Sequence, residues 1–173
     1  MILTSSTRYQ GYSPQYGPPT IQRQWPSYDP ITSVTDSKMR CNGGTSAPLA
    51  ATVAAGQTVT AVWSQWTHSQ GPVTVYMYKC SGAHAACDGS GAGWFKIDEK
   101  GLIAPPLSGT QWGNDIVLRT LKWTSTIPSK LAAGNYLIRH ELLALHQAYS
   151  PQFYPECAQI SKLLPREVIV RTY

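Results

Sequence analysis

Four histidines, at positions 68, 84, 140 and 146, are the imidazoles available to this 173-residue sequence for metal binding or proton exchange. Its carboxylates are sparse, with nine Asp and Glu in all. Asp98 and Glu99 are neighbours that point to opposite faces of a strand. Glu141 and Glu156 have no evident partner at the spacing a glycoside hydrolase needs. Hydrolysis by paired carboxylates is therefore disfavoured. Read as extended chain, 152–157 puts Gln152 and Tyr154 on one face, with Phe153 and Cys157 on the other. A hairpin joining the run that ends at His146 to the run holding Tyr154 would bring both to one end of a sheet. Taken singly, each residue also has a plainer reading. His68 reads as an exposed loop histidine, and Tyr154 as a buried tyrosine with a bonded hydroxyl. His146 and Gln152 read as a polar pair closing a hairpin. His140 reads as structural or surface, and His84 as a solvated loop residue.

The elements that would position these groups are short strands. Only 13% of residues are charged, while Gly, Pro, Tyr and Trp number 14, 13, 10 and 6. Apolar runs at 59–63, 73–78, 94–97, 116–127, 136–145, 157–163 and 168–170 alternate with Gly, Pro and Asn turn signals. Residues 1–35, rich in Tyr, Pro, Ser and Gln, read as an extended, looping segment. About seven strands in one domain predict an all-β sandwich of two antiparallel sheets with long loops. No run reaches the roughly 20 apolar residues of a membrane helix. The net charge is +5, but its bases are scattered singly, which argues against nucleic acid as a partner.

Cys41, Cys80, Cys87 and Cys157 permit three pairings and contain no CxxC, which disfavours a zinc knuckle. Cys80 and Cys87 flank a small SGAHAA segment and could close a local loop. Cys41 and Cys157 would then tie an early segment to a late one. Two disulfides point to an oxidising compartment.

Several motifs, in order, resemble one family. Thr67-His68-Ser69-Gln70-Gly71-Pro72-Val73 looks like a histidine loop running into a strand through Gly-Pro. Trp94-Phe95-Lys96-Ile97 looks like the family's central aromatic strand. Gly134-Asn135-Tyr136-Leu137-Ile138-Arg139-His140-Glu141, with Ala144-Leu145-His146, matches its strand carrying a second-sphere histidine. Gln152-Phe153-Tyr154-Pro155-Glu156-Cys157 resembles its axial-tyrosine motif. The family is that of the fungal lytic polysaccharide monooxygenases, auxiliary activity family 9, and the likeness runs from about Tyr9 to Ile160. It implies an immunoglobulin-like β-sandwich and one copper ion, Cu(II)/Cu(I), held by a histidine brace. His68 would be the internal ligand and Tyr154 the axial residue. His146 and Gln152 would hydrogen-bond the oxygen species. Tyr9, Tyr12 and Tyr16 read equally as residues that stack on a flat glucan face or that fill gaps in a loop. The implied activity is oxidative cleavage of cellulose or another β-1,4-glucan at C1 or C4. The resemblance further implies an external electron donor and an extracellular monomer.

The sequence departs from the family at both ends. The stretch 1–6 holds no histidine where the brace takes its terminal amine and ring, and no signal peptide is evident. Residues 161–173 stop short of the family's further loop and strand. The expectation is a single domain over 1–173 with atypical ends at 1–8 and 161–173, truncated, with a sheet edge left open and weak or absent activity. The alternative is a non-catalytic carbohydrate-binding or structural β-sandwich.

Overall fold

The computed structural model describes residues 2–4, 11 and 19–162. Its strands are β1 (Ile2–Thr4), β2 (Ala51–Val53), β3 (Thr58–Val62), β4 (Val73–Lys79), β5 (Trp94–Lys100), β6 (Lys122–Thr126), β7 (Gly134–Ala144) and β8 (Gln152–Lys162); α1 (Gly113–Thr120) precedes β6. One sheet runs β1-β3-β6 and the other β2-β8-β7-β4-β5. Every described pairing is antiparallel except β2 with β8.

Period-2 alternation builds the core. Val59 and Ala61 of β3 face Val75 and Met77 of β4, Ile138 of β7, and Ala158 and Ile160 of β8, all essentially dry. Burying a large aliphatic side chain of this kind contributes about 1.5–3 kcal/mol. The sheets therefore stack as the β-sandwich that the alternation predicts. On the outer face of the larger sheet, the Arg139 guanidinium lies 4.6 Å from the ring centroids of both Tyr76 and Trp94. Burial lowers the Arg139 pKa, and the ion pair with Glu141 at 3.2 Å opposes that shift. The disulfides are Cys41–Cys157 and Cys80–Cys87.

The strand expected over 116–127 is instead helix α1 followed by β6. Its β-branched Ile116-Val117 pair suggested a strand. The helical reading wins because Val117 alone of that pair is fully buried, and Asp115 and Arg119 form an i,i+4 ion pair at 2.9 Å. Leu121 ends the helix in the left-handed region at φ 54°. Four short features also break the looping stretch expected over 1–35: β1, and the single bridges Gln22–Ala158, Gln24–Thr45 and Ile31–Phe153. At 161–162 β8 is paired on one side by β7 and on the other by β2. The 168–170 run lies outside the described residues.

Candidate functional site

The strand registers carry the candidate residues to one end of the sandwich. Ala144 at the end of β7 pairs with Gln152 at the start of β8, and Leu142 pairs with Tyr154. Val73, at the start of β4, pairs with Leu142. The β3–β4 loop, with Trp66 and His68, therefore meets the β7–β8 turn that holds His146.

Gly71 locks these two loops together. A Cβ at Gly71, whose φ is 121°, would sit 1.8 Å from the Leu143 carbonyl oxygen. Only glycine allows that approach. Leu143 N–H donates to Pro72 O at 3.2 Å and Leu145 N–H to Gln70 O at 3.1 Å. Fully buried Asn114, at the start of α1, donates its side-chain amide to Leu143 O at 2.9 Å. Sequence reasoning did not single out Asn114, since its role depends on two loops meeting.

His68 and His146 stack with centroids 4.0 Å apart and planes 6° from parallel. A ring nitrogen's lone pair lies in the ring plane, and near-parallel planes share no line where one ion could sit. In this arrangement a metal ion can be gripped by one imidazole of the pair and not by both. Tyr154 lies 6.1 Å from His68, centroid to centroid, and its hydroxyl donates to Gln152 Oε1 at 2.9 Å. Trp66 bridges the group edge-on, 5.2 Å from His68 and 5.1 Å from Tyr154. Its signal in the sequence was only its place two residues before His68.

Burial, then the neighbouring His146, lowers the His68 pKa, which favours the neutral ring whose lone pair can bind a metal. Burial raises the Tyr154 pKa and keeps the phenol protonated. Neutral imidazole and a phenol are donors suited to a borderline ion such as copper rather than to calcium or magnesium. No group of three or more His, Cys, Asp or Glu that could hold a metal occurs among the described residues.

The remaining candidates lie elsewhere. His140 is fully buried against the edge of Trp63, at 6.1 Å, and is structural rather than surface. His84, expected to be solvated, bonds the Ile160 carbonyl at 3.1 Å within the Cys80–Cys87 loop. Glu156 faces a cavity of about 600 Å³ shared with Trp63, Trp66 and Tyr154, where it accepts from Asn42 at 2.9 Å and Gln22 at 3.2 Å. Glu141 sits one register step away, opposite Pro155, on the other face of the sheet. The two carboxylates therefore cannot act together. Tyr9, Tyr12 and Tyr16 lie outside the described residues.

Residues 1–161 match the family model for Auxiliary Activity family 9 (formerly GH61). The chain belongs to auxiliary activity family 9. It is 57% identical over 160 residues to AA9 family lytic polysaccharide monooxygenase D of Thermothelomyces thermophilus, covering 88% of this chain and 62% of that protein. Against the family's monooxygenase B of Heterobasidion irregulare, identity is 49% over 164 residues, covering 90% of this chain and 67% of that one. The crystal structure of a cellulose-active polysaccharide monooxygenase from M. thermophila superposes with a TM-score of 0.84 at 51% identity, covering 91% of this chain and 73% of that one. The chain thus spans less than two thirds of the Thermothelomyces protein's length. For an auxiliary activity family 9 domain, its two disulfides fit an oxidising compartment. No helix among the described residues is long and apolar enough to cross a membrane.

Proposed function

We propose that this chain is the catalytic domain of an extracellular, copper-dependent monooxygenase that cleaves cellulose or a related β-1,4-glucan by hydroxylation at C1 or C4. The observation that carries this reading is the parallel stack of His68 and His146, with Tyr154 held beside it through Trp66. Family membership supplies the chemistry. The stack divides the labour. His68, with its lowered pKa, would hold the ion through its lone pair, and Tyr154 would stand beside it as a neutral phenol. Copper, when bound, would supply oxygen activation from dioxygen or peroxide with electrons from an external donor. His146 lies at the solvent side of the stack and could present a ring nitrogen to the substrate-facing space. Gln152 accepts from the Tyr154 hydroxyl through Oε1, so its amide nitrogen remains a donor for a second partner. Substrate attack needs no carboxylate here, which agrees with Glu141 and Glu156 standing on opposite faces.

Copper titration of the chain and of H68A, combined with ascorbate-driven reaction on swollen cellulose, tests the reading. Copper binding that depends on His68 is expected, and any oxidised oligosaccharides above the free-copper background, weak in yield as the sequence predicts, should vanish in H68A. Copper affinity indifferent to that substitution, or products that persist undiminished in H68A, would overturn it. The second reading, a non-catalytic carbohydrate-binding sandwich, predicts retention on cellulose with no copper affinity at micromolar levels.

A further inference from the structure

Tyr149 occupies a costly position with no return inside the fold. It is fully exposed and has a positive φ of 59°. It is the third residue of the turn closed by Ser150 N–H donating to Gln147 O at 3.4 Å. A left-handed conformation at the third position of a turn ordinarily goes to Gly or Asn, because a Cβ there costs about 1–2 kcal/mol. A large aromatic residue kept fully exposed in such a place points to a partner outside the chain.

Its surroundings define the partner's chemistry. Leu145, 38% exposed, donates its N–H to Gln70 O, and the Gln70 side chain donates to Ser108 O at 2.7 Å beside Leu107, itself 69% exposed. Two exposed leucines thus flank Gln70, two residues from His68. The loop segments around Gln70, 63–72, 101–112 and 142–155, contain no Asp, Glu, Lys or Arg, and on adjacent α1 the charges of Asp115 and Arg119 are paired with each other at 2.9 Å. Such a surface offers nothing to a phosphate, a uronic acid or an acidic peptide. It suits the C–H faces of neutral pyranose rings, which stack on aromatic side chains while their hydroxyls stay at the rim.

We propose that Tyr149, with Leu107 and Leu145, forms a sugar-stacking platform on the His146 side of the site, fitted to an uncharged glucan chain lying in a flat, insoluble surface. The inference rests on the polysaccharide reading above and adds the residues that seat the substrate. Binding through this platform does not need the metal.

Depletion of the 173-residue chain by swollen cellulose, in a chelator and without reductant, tests it. Y149G removes the ring and relieves the backbone, so it is expected to melt at the same or a higher temperature than the parent. Its retention on cellulose is expected to be about five- to tenfold weaker, the scale of one lost aromatic stack. Y149W is expected to bind within about twofold of the parent, and retention should be indifferent to added salt, because no charges meet. Retention by Y149G equal to the parent's, or no retention by the parent at all, overturns the platform. If His68-dependent copper binding survives that result, the platform alone fails. If copper binding also ignores His68, the monooxygenase reading fails with it.

Discussion

The imidazole of His68 lies flat against that of His146, 4.0 Å apart and within 6° of parallel, at the junction of two loops from different strands. Parallel rings cannot both direct lone pairs at one ion, so the two histidines answer differently to substitution. H68A is expected to weaken copper binding by at least 10- to 100-fold, no less than the loss of a supporting outer residue does. H146A should leave affinity within about threefold, since it removes a stacking neighbour rather than a donor. Calorimetric titration of both variants checks this, and equal losses would mean that the rings rearrange into a shared grip.

The contact between Gly71 and Leu143 offers a test of how the site is held. In G71A the new methyl would enter the Leu143 carbonyl at 1.8 Å, and the φ of 121° is strained for any L side chain. The two strands would have to part where Asn114 clamps them. A loss on the order of 3–5 kcal/mol is expected from urea unfolding, at the extreme end for one methyl. Copper affinity should fall too, because the His68 loop hangs from that joint. A midpoint within experimental error of the parent's would show that the joint gives way freely.

Two buried groups pull the pH dependence of stability in opposite directions. Burial holds the His140 imidazole down at about 3, against the opposite pull of Asp98. An unfolded chain protonates that ring near 6.5, so between about 6.5 and 3 the unfolded state binds the extra proton and stability falls as pH drops. Burial holds the Glu156 carboxyl up at about 7, despite hydrogen bonds from Asn42 and Gln22 that favour its ionised form. Unfolded, it ionises near 4.5, so stability falls as pH rises from about 4.5 to 7. The two slopes oppose each other between about 4.5 and 6.5. In E156Q the His140 slope stands alone there, and the variant should gain stability relative to the parent as pH rises through that window. Denaturant midpoints at half-unit pH steps measure it; superimposable profiles would remove Glu156 from the account.

Much of the sandwich was legible in the sequence because half-buried strands write their faces as alternation, as in Val73, Val75 and Met77. Helix α1 was not, since Ile116-Val117 looks like strand material and the helix is short enough for its one buried position, Val117, to set no visible period. β2 was missed because three residues, Ala51 to Val53, gain their strand character only from lying beside β8. At the site, His68, His146, Gln152 and Tyr154 were recognisable as ordered motifs. Trp66 and Tyr149 were not, because nothing local says that one ring will meet two others or that another will stand clear of the protein.

The two disulfides separate stability from local order. Cys41–Cys157 spans 116 residues and Cys80–Cys87 only 7. If each acts by restricting the unfolded chain, removing the long bridge costs about 5 kcal/mol and the short one about 2 kcal/mol. The long bridge also anchors β8 three residues beyond Tyr154, whereas the short one closes a loop around His84, away from the stacked histidines. A C41A/C157A double variant should therefore lose most of the protein's thermal stability and reduce copper affinity together. C80A/C87A should lower the melting temperature modestly and leave the copper site unaltered. Thermal melts with paired copper titrations distinguish the cases. A larger loss from the short bridge would mean that Arg23, which donates to the His84 carbonyl at 2.9 Å and to that of Cys87, makes the 80–87 loop a structural keystone.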